Sequence, residues 1–290
     1  MIKCIATDMD GTLLNANQEV SKTNQEAVKL AQAKGIDFLV ATGRSYHDMR
    51  YVLDKTNIVC PAICLNGAEI RDENGKIEHG VGLGEQTAKT VASVLHRADV
   101  YFELYTSEGT YATSFEKGIQ AIMDIYRTAN PSIEVSALRE RVEKRFEKRA
   151  IRIVDSYNGI FAAEDTVTYK FFGFSKDESL LADLSKRLER IKGITVTASG
   201  RHNIEITHRD AQKGAALKRY AEKRGISLEE TMALGDNYND LSMLRMVGHS
   251  VAMGNAEQEV KAACRYVTGL NTADGVAEAI YKVIKEMPIS

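Results

Sequence analysis

Residues 2–14 read IKCIATDMDGTLL, and the fold turns on how this stretch ends. Ile2–Thr7 is a short apolar run of the kind that forms a fully buried strand. Asp8 and Asp10 follow one residue apart, with Gly11 and Thr12 directly behind them. Carboxylates that close repel each other unless a cation shares the site, and hard oxygen ligands suit Mg²⁺. The exit of the first strand is therefore the first candidate for chemistry.

Working outward, apolar runs alternate with helical patterns, which predicts an α/β architecture. TNQEAVKLAQAKG (23–35) reads as a helix opening on a capping box, Thr23 to Glu26, and closing at Gly35. IDFLVAT (36–42) reads as a second strand at the interval of a right-handed crossover. SYHDMRYVLDKT (45–56) reads as a helix, and AICLNGAEI (62–70) as a strand running into a turn at Asn66-Gly67.

The texture changes after GVGLG (80–84). A helix over 85–98 leads into VYFELYT and TYATS, a hairpin through Ser107–Gly109. VTYKFFGF (167–174), a helix over 176–191 and the paired runs ITVTAS and HNIEIT complete a block of neighbouring hairpin strands, which reads as α+β. The crossover rhythm returns at QKGAALKRYAEKRG (212–225), with strands TMALGD, HSVAM and YVT, helices over 239–246 and 256–263, and a last helix from 275. The expected organisation is a Rossmann-like parallel-sheet core of residues 1–82 and 208–290, interrupted by an inserted α+β cap domain of residues 83–207.

Bulk properties narrow the function. The 290 residues carry 38 Lys and Arg against 40 Asp and Glu, a net charge of −2, so no overall basic field draws the chain to nucleic acid or an anionic membrane. No run approaches the ~20 apolar residues of a membrane span. The four cysteines, Cys4, Cys60, Cys64 and Cys264, lack zinc-ligand spacing and read as reduced thiols of a cytoplasmic protein. ALRERVEKRFEKR (137–149) holds six basic and three acidic residues, but Leu138, Val142 and Phe146 recur at helical spacing. That is an apolar core stripe with interleaved charge partners rather than an RNA patch.

Ligands bind at the carboxyl edge of an open parallel sheet. That edge gathers Asp8 and Asp10 from the first strand, Thr42 of ATGRS from the second and Asp236 of LGDNYND from a later one, with Lys213 near the start of its helix. DMDGTLL, ATGR, KGAALK and GDNYNDLSML, in this order, resemble the four motifs of the haloacid dehalogenase superfamily. With LNGAEI and VAMGNA, they look like its Cof-type phosphatase branch, which carries a large α/β cap.

The resemblance implies Mg²⁺-dependent hydrolysis of small phosphomonoesters, sugar phosphates or related metabolites, through an aspartyl-phosphate. It makes Asp8 the nucleophile and Asp10 the acid and base. Thr42, Lys213 and Asn239 would bind the phosphoryl group, joined by backbone donors around Met9–Gly11, while Gly43 and Arg44 line the phosphate or substrate loop. Asp8, Asp236 and the backbone carbonyl of Asp10 would hold the metal, and Asp240 would orient its neighbours. It implies a monomer or homodimer acting on a small phosphorylated metabolite, with the cap closing over the site. Arg44, Ser45 and Asn66 lie on core loops open to a substrate role or to ordinary loop bonding. Lys170 reads either as a cleft residue or as an edge-strand lysine that deters aggregation. Asp210 stands where the branch usually has a glycine. Two rival functions stay open: a phosphosugar mutase on the same scaffold, and a module that binds phosphorylated ligands without turnover.

Overall fold

The computed structural model of the protein describes residues 1–129, 134–148, 150–198 and 200–285, so Arg149 and Ser199 of the segments above lie outside it. Its first part contains β1 (Cys4–Thr7), α1 (Lys22–Ala33), β2 (Asp37–Ala41), α2 (Tyr46–Leu53), β3 (Ala62–Cys64), β4 (Glu69–Arg71) and β5 (Ile77–Gly80). The middle comprises α3 (Glu85–Arg97), β6 (Tyr101–Thr106), β7 (Gly109–Ala112), α4 (Phe115–Ala129), α5 (Val135–Lys148), β8 (Arg152–Ile153), α6 (Asn158–Phe161), β9 (Thr168–Phe174), α7 (Glu178–Leu188), β10 (Ile194–Thr197) and β11 (Asn203–His208). The last part holds α8 (Lys213–Lys223), β12 (Thr231–Gly235), α9 (Leu241–Leu244), β13 (His249–Ala252), α10 (Gln258–Ala262), β14 (Tyr266–Val267) and α11 (Gly275–Lys285). The chain divides into two compact units, Met1–His79 with Ala211–Ser290, and Gly80–Asp210.

In the first unit the strands run in the order β14-β13-β12-β1-β2-β3-β4-β5. β14 through β3 pair in parallel, and β4 turns back antiparallel to β3. The chain builds outward from β1 to one side, then returns to build β12, β13 and β14 on the other. β1 and β12 therefore flank the switch point, where crossovers leave in opposite directions and open a crevice at the strands' carboxyl ends. Cys4, Ile5, Ala6, Leu39, Val40, Met232 and Leu234 are buried, as expected for strands covered on both faces. Burial pushes the Cys4 and Cys60 thiols up to about 12, which makes them inert core residues.

One expected cap moves. Helix α1 is capped by Ser21, whose hydroxyl accepts from Asn24 N–H at 3.1 Å, rather than by Thr23. Val20 pairs with Leu14 in an antiparallel bridge, so extended backbone ends at Ser21 and the helix begins there.

The second unit is built on a sheet in the order β10-β11-β9-β6-β7-β8, antiparallel apart from the β7–β8 pair. Phe102, Leu104, Phe171, Ile204 and Ile206 pack with Val91, Leu95, Leu181, Leu184 and Leu188 in one apolar cluster. A second cluster joins Tyr101 and Phe174 to Ile119, Met123, Leu138, Val142 and Phe146, so the stripe of α5 is core. Lys170 is not on an edge strand: β9 lies between β11 and β6, and the buried ammonium pairs with Glu205 at 2.5 Å. No helix among the described residues is long and apolar enough to cross a membrane.

Candidate active site

The chain leaves β1 through a wide turn, Met9–Leu13, closed by Leu13 N–H to Asp8 O (3.3 Å) and Leu14 N–H to Met9 O (2.9 Å). Asp8 N–H donates to Leu234 O at 2.9 Å, which fixes the first aspartate to the end of β12. Gly11 has a φ of +79°, and a Cβ there would sit 2.4 Å from Asp236 Oδ2. A residue without a side chain is therefore what lets the two acidic loops meet. Thr12 Oγ1 completes the junction by donating to Asp236 Oδ1 at 2.8 Å.

Lys213 opens α8 and is fully buried. Its Nζ donates to Asp8 Oδ1 (2.5 Å) and Asp240 Oδ1 (2.6 Å). Asp240 Oδ2 accepts from the backbone N–H groups of Asp236 (2.9 Å) and Asn237 (3.0 Å). Asp240 thus has both oxygens committed, one to the lysine and one to the loop that carries Asp236. Burial pushes the Asp8 carboxyl well up; Lys213 opposes that rise, and Asp240 and Asp236 add to it. Asp236 is likewise pushed up to about 6 by burial, against the Thr12 hydrogen bond and with help from Asp240. Burial alone would lower Lys213, but Asp240 and Asp8 outweigh it, and the ammonium is held above its ordinary range.

The second aspartate behaves differently. Asp10 takes a bidentate contact from Arg44, Nε to Oδ2 at 2.8 Å and Nη2 to Oδ1 at 2.6 Å, and the same Nη2 also donates to Gln18 Oε1. Thr42 is buried at the end of β2, its N–H donating to Ile63 O (2.8 Å) and its hydroxyl accepting from Arg44 N–H (3.1 Å). Asn239 lies on the loop before α9, where its Nδ2 donates to Asn66 Oδ1 at 3.1 Å. Of the residues singled out in the sequence, Asp8, Lys213, Asp236 and Asp240 meet in one cluster. Asp10 and Arg44 form a second group, and Asn239 joins Asn66.

Three contributors escape the sequence reading: Thr12 on Asp236, Gln18 on Arg44, and Asn255, whose Nδ2 donates to Gly11 O at 2.8 Å. Thr12 had a signal in its place in DGT directly behind the paired aspartates, Asn255 lies within the VAMGNA segment, and Gln18 had none. Asp210 needs no glycine, since its backbone is not left-handed and its side chain is 71 % exposed.

The donor set fits a divalent cation. Oxygen atoms of Asp8, Asp236 and Asp240 lie within 4.8 Å of one another. Among the described residues, Asp8 Oδ2 and Asp236 Oδ2 make no hydrogen bond, so each carboxylate keeps one oxygen free. Burial raises both groups and neighbouring carboxylates add to the rise, and a bound cation offsets both effects.

A switch-point crevice holding paired aspartates, a buried lysine and a second acidic loop defines a hydrolase of the haloacid dehalogenase class. Residues 5–280 match the family model of haloacid dehalogenase-like hydrolases, and the chain belongs to that family. Phosphatase YwpJ of Bacillus subtilis is 36% identical over 278 residues, covering 95% of this chain and 98% of that protein. The 5-amino-6-(5-phospho-D-ribitylamino)uracil phosphatase YwtE of the same organism is 34% identical over 284 residues, 98% of each chain. A solved haloacid dehalogenase-like hydrolase from B. subtilis superposes with a TM-score of 0.82 at 35% identity, covering 97% of this chain and 99% of that one.

Proposed function

We propose that the protein is a phosphatase that hydrolyses small phosphomonoesters with Mg²⁺, through a covalent phosphoryl intermediate on Asp8. The observation that carries it is the placement of Lys213 between Asp8 and Asp240, with Asp236 held beside Asp8. The ammonium orients the Asp8 carboxylate and leaves its Oδ2 available to attack phosphorus. That attack forms the P–O bond to Asp8 as the ester P–O bond breaks, and Asp10 gives the departing alkoxide its proton. Asp10 then takes a proton from water as the water oxygen attacks phosphorus, which releases inorganic phosphate and restores Asp8. Lys213, Thr42 and Asn239 offset charge on the phosphoryl oxygens. Asp8, Asp236 and the Asp10 carbonyl would hold Mg²⁺, which supplies further neutralisation of the phosphoryl oxygens.

The 5-phospho-D-ribityl group in the name of one relative is a sugar-alcohol phosphate, which supports sugar phosphates and similar metabolites as the substrate class. The test is phosphate release from a panel of phosphorylated metabolites in Mg²⁺ and in EDTA. Release in Mg²⁺ that EDTA abolishes is expected. Isomerised phosphosugar without free phosphate favours a mutase, and tight binding without either product favours a binding module.

Arg44 has a second task under this reading. Its fork holds both oxygens of Asp10 and so positions the carboxylate form that takes the proton from water; one oxygen must leave the fork for Asp10 to carry the proton it gives, and a lysine cannot reproduce that planar geometry. Arg44→Lys is expected to lower kcat by about tenfold, the weight of one charge-assisted bond, with KM changed by less than about threefold. Steady-state kinetics on the best panel substrate checks it; a large rise in KM at constant kcat assigns Arg44 to ground-state binding instead.

A further inference from the structure

The turn after β3 lies outside the four motif segments, yet it touches three of the loops that carry them. Leu65, Asn66 and Gly67 are consecutively left-handed, with φ of 51°, 59° and 105°. Glycine takes that conformation freely and asparagine tolerates it, but leucine resists it, so the surroundings must impose the turn. They do: Leu65 N–H donates to Arg44 O and Asn66 N–H to Thr42 O, both at 3.0 Å. A Cβ on Gly67 would lie 2.3 Å from the carbonyl oxygen of Gln212, the residue before Lys213. The turn is thereby pinned against the loops of Thr42 and Lys213.

Its middle side chain reaches the third loop. Asn66 Oδ1 accepts from Asn239 Nδ2 at 3.1 Å and lies over Gly43, where an added Cβ would meet it at 3.1 Å. Asn66 Nδ2 makes no hydrogen bond among the described residues. A carboxamide with its oxygen fixed and its N–H₂ unspent, on a backbone held in a costly conformation, is arranged to donate to something that arrives.

We propose that Asn66 is a substrate-binding residue: its Nδ2 donates to a non-bridging phosphoryl oxygen, and its Oδ1 turns the Asn239 amide to donate beside it. The proposal rests on the phosphatase reading. A neutral donor suits the place, since it contacts an oxyanion without adding a charge that could pair with the crowded carboxylates. It also explains the left-handed Leu65, because the strain places Asn66 between the Thr42 and Asn239 loops.

The experiment is titration calorimetry of inorganic phosphate, in Mg²⁺ buffer, into wild type, Asn66→Gly and Asn66→Asp, with thermal unfolding of each. Asn66→Gly keeps the left-handed backbone and deletes the amide; Asn66→Asp keeps shape and acceptor but replaces the donor with a negative charge. About tenfold weaker phosphate binding is expected for Asn66→Gly and about a hundredfold for Asn66→Asp, at nearly unchanged Tm. Variants of Asn66 that bind within twofold of wild type overturn the proposal and leave the turn a structural staple. A wild type that binds no phosphate and cleaves no ester overturns the phosphatase reading together with it.

Discussion

Under the proposed reaction, Asp8→Asn is expected to cut phosphate release by at least about 10⁴-fold while leaving the protein folded, because removing the proposed nucleophile takes away a whole step rather than one contact. The amide matches the carboxylate in size and offers Lys213 an oxygen in the same place, but it is a far poorer nucleophile. The electrostatics separate loss of chemistry from loss of fold. Asp8, Asp236 and Asp240 crowd one ammonium, and burial with its two acidic neighbours pushes Asp8 toward the protonated form. A neutral side chain there removes a repulsion, while Lys213 keeps its contact with Asp240 at 2.6 Å. In metal-free buffer the variant should therefore unfold at or above the wild-type midpoint. Phosphate release in Mg²⁺ together with urea unfolding in EDTA checks both halves. Turnover that persists in a folded Asp8→Asn protein sinks the nucleophile assignment.

Much of this arrangement was legible in the chain because its signals are local. The buried strands read as unbroken apolar runs, and the return of crossover spacing after residue 212 marked the resumption of the parallel sheet. Asp8, Asp236 and Lys213 could be placed because a strand end or helix start fixes where a side chain sits. What escaped is what depends on partners distant in sequence. Lys170 reads as an edge residue from its own strand, and the order β11-β9-β6 that puts it inside the sheet is a long-range fact. Gln18 gives no local sign that it will meet Arg44, since its position follows from the left-handed backbone of its own loop. The cap of α1 moved from Thr23 to Ser21 for the same reason: the Leu14–Val20 bridge, not the helix pattern, decides where extended backbone stops.

Lys213→Met is expected to be damaging twice over. Methionine fills much of the lysine's volume, so packing is nearly kept and what disappears is the charge. Asp8 and Asp240, both buried, then face each other with their shared cation gone. Breaking a buried ion pair from one side costs about 3–5 kcal/mol, since it strands the remaining charge; for a unit of this size that lowers Tm by roughly 10 °C. Turnover should fall by about 10²–10³-fold as well, the effect of losing one donor aimed at a phosphoryl oxygen. A second substitution tells the two effects apart. Asp240→Asn removes one stranded carboxylate while its amide oxygen still accepts from a backbone N–H of the Asp236 loop. Lys213→Met with Asp240→Asn should therefore be more stable than the sum of the single variants, by about 0.5–3 kcal/mol. Its activity should stay as low as that of Lys213→Met, because neither change restores a cation beside Asp8. Urea unfolding and phosphate release on the four proteins supply the comparison. Strict additivity in stability sinks the claim that Lys213 and Asp240 stabilise each other through their direct contact, and recovered turnover in the double variant sinks the claim that the lysine serves the phosphoryl group directly.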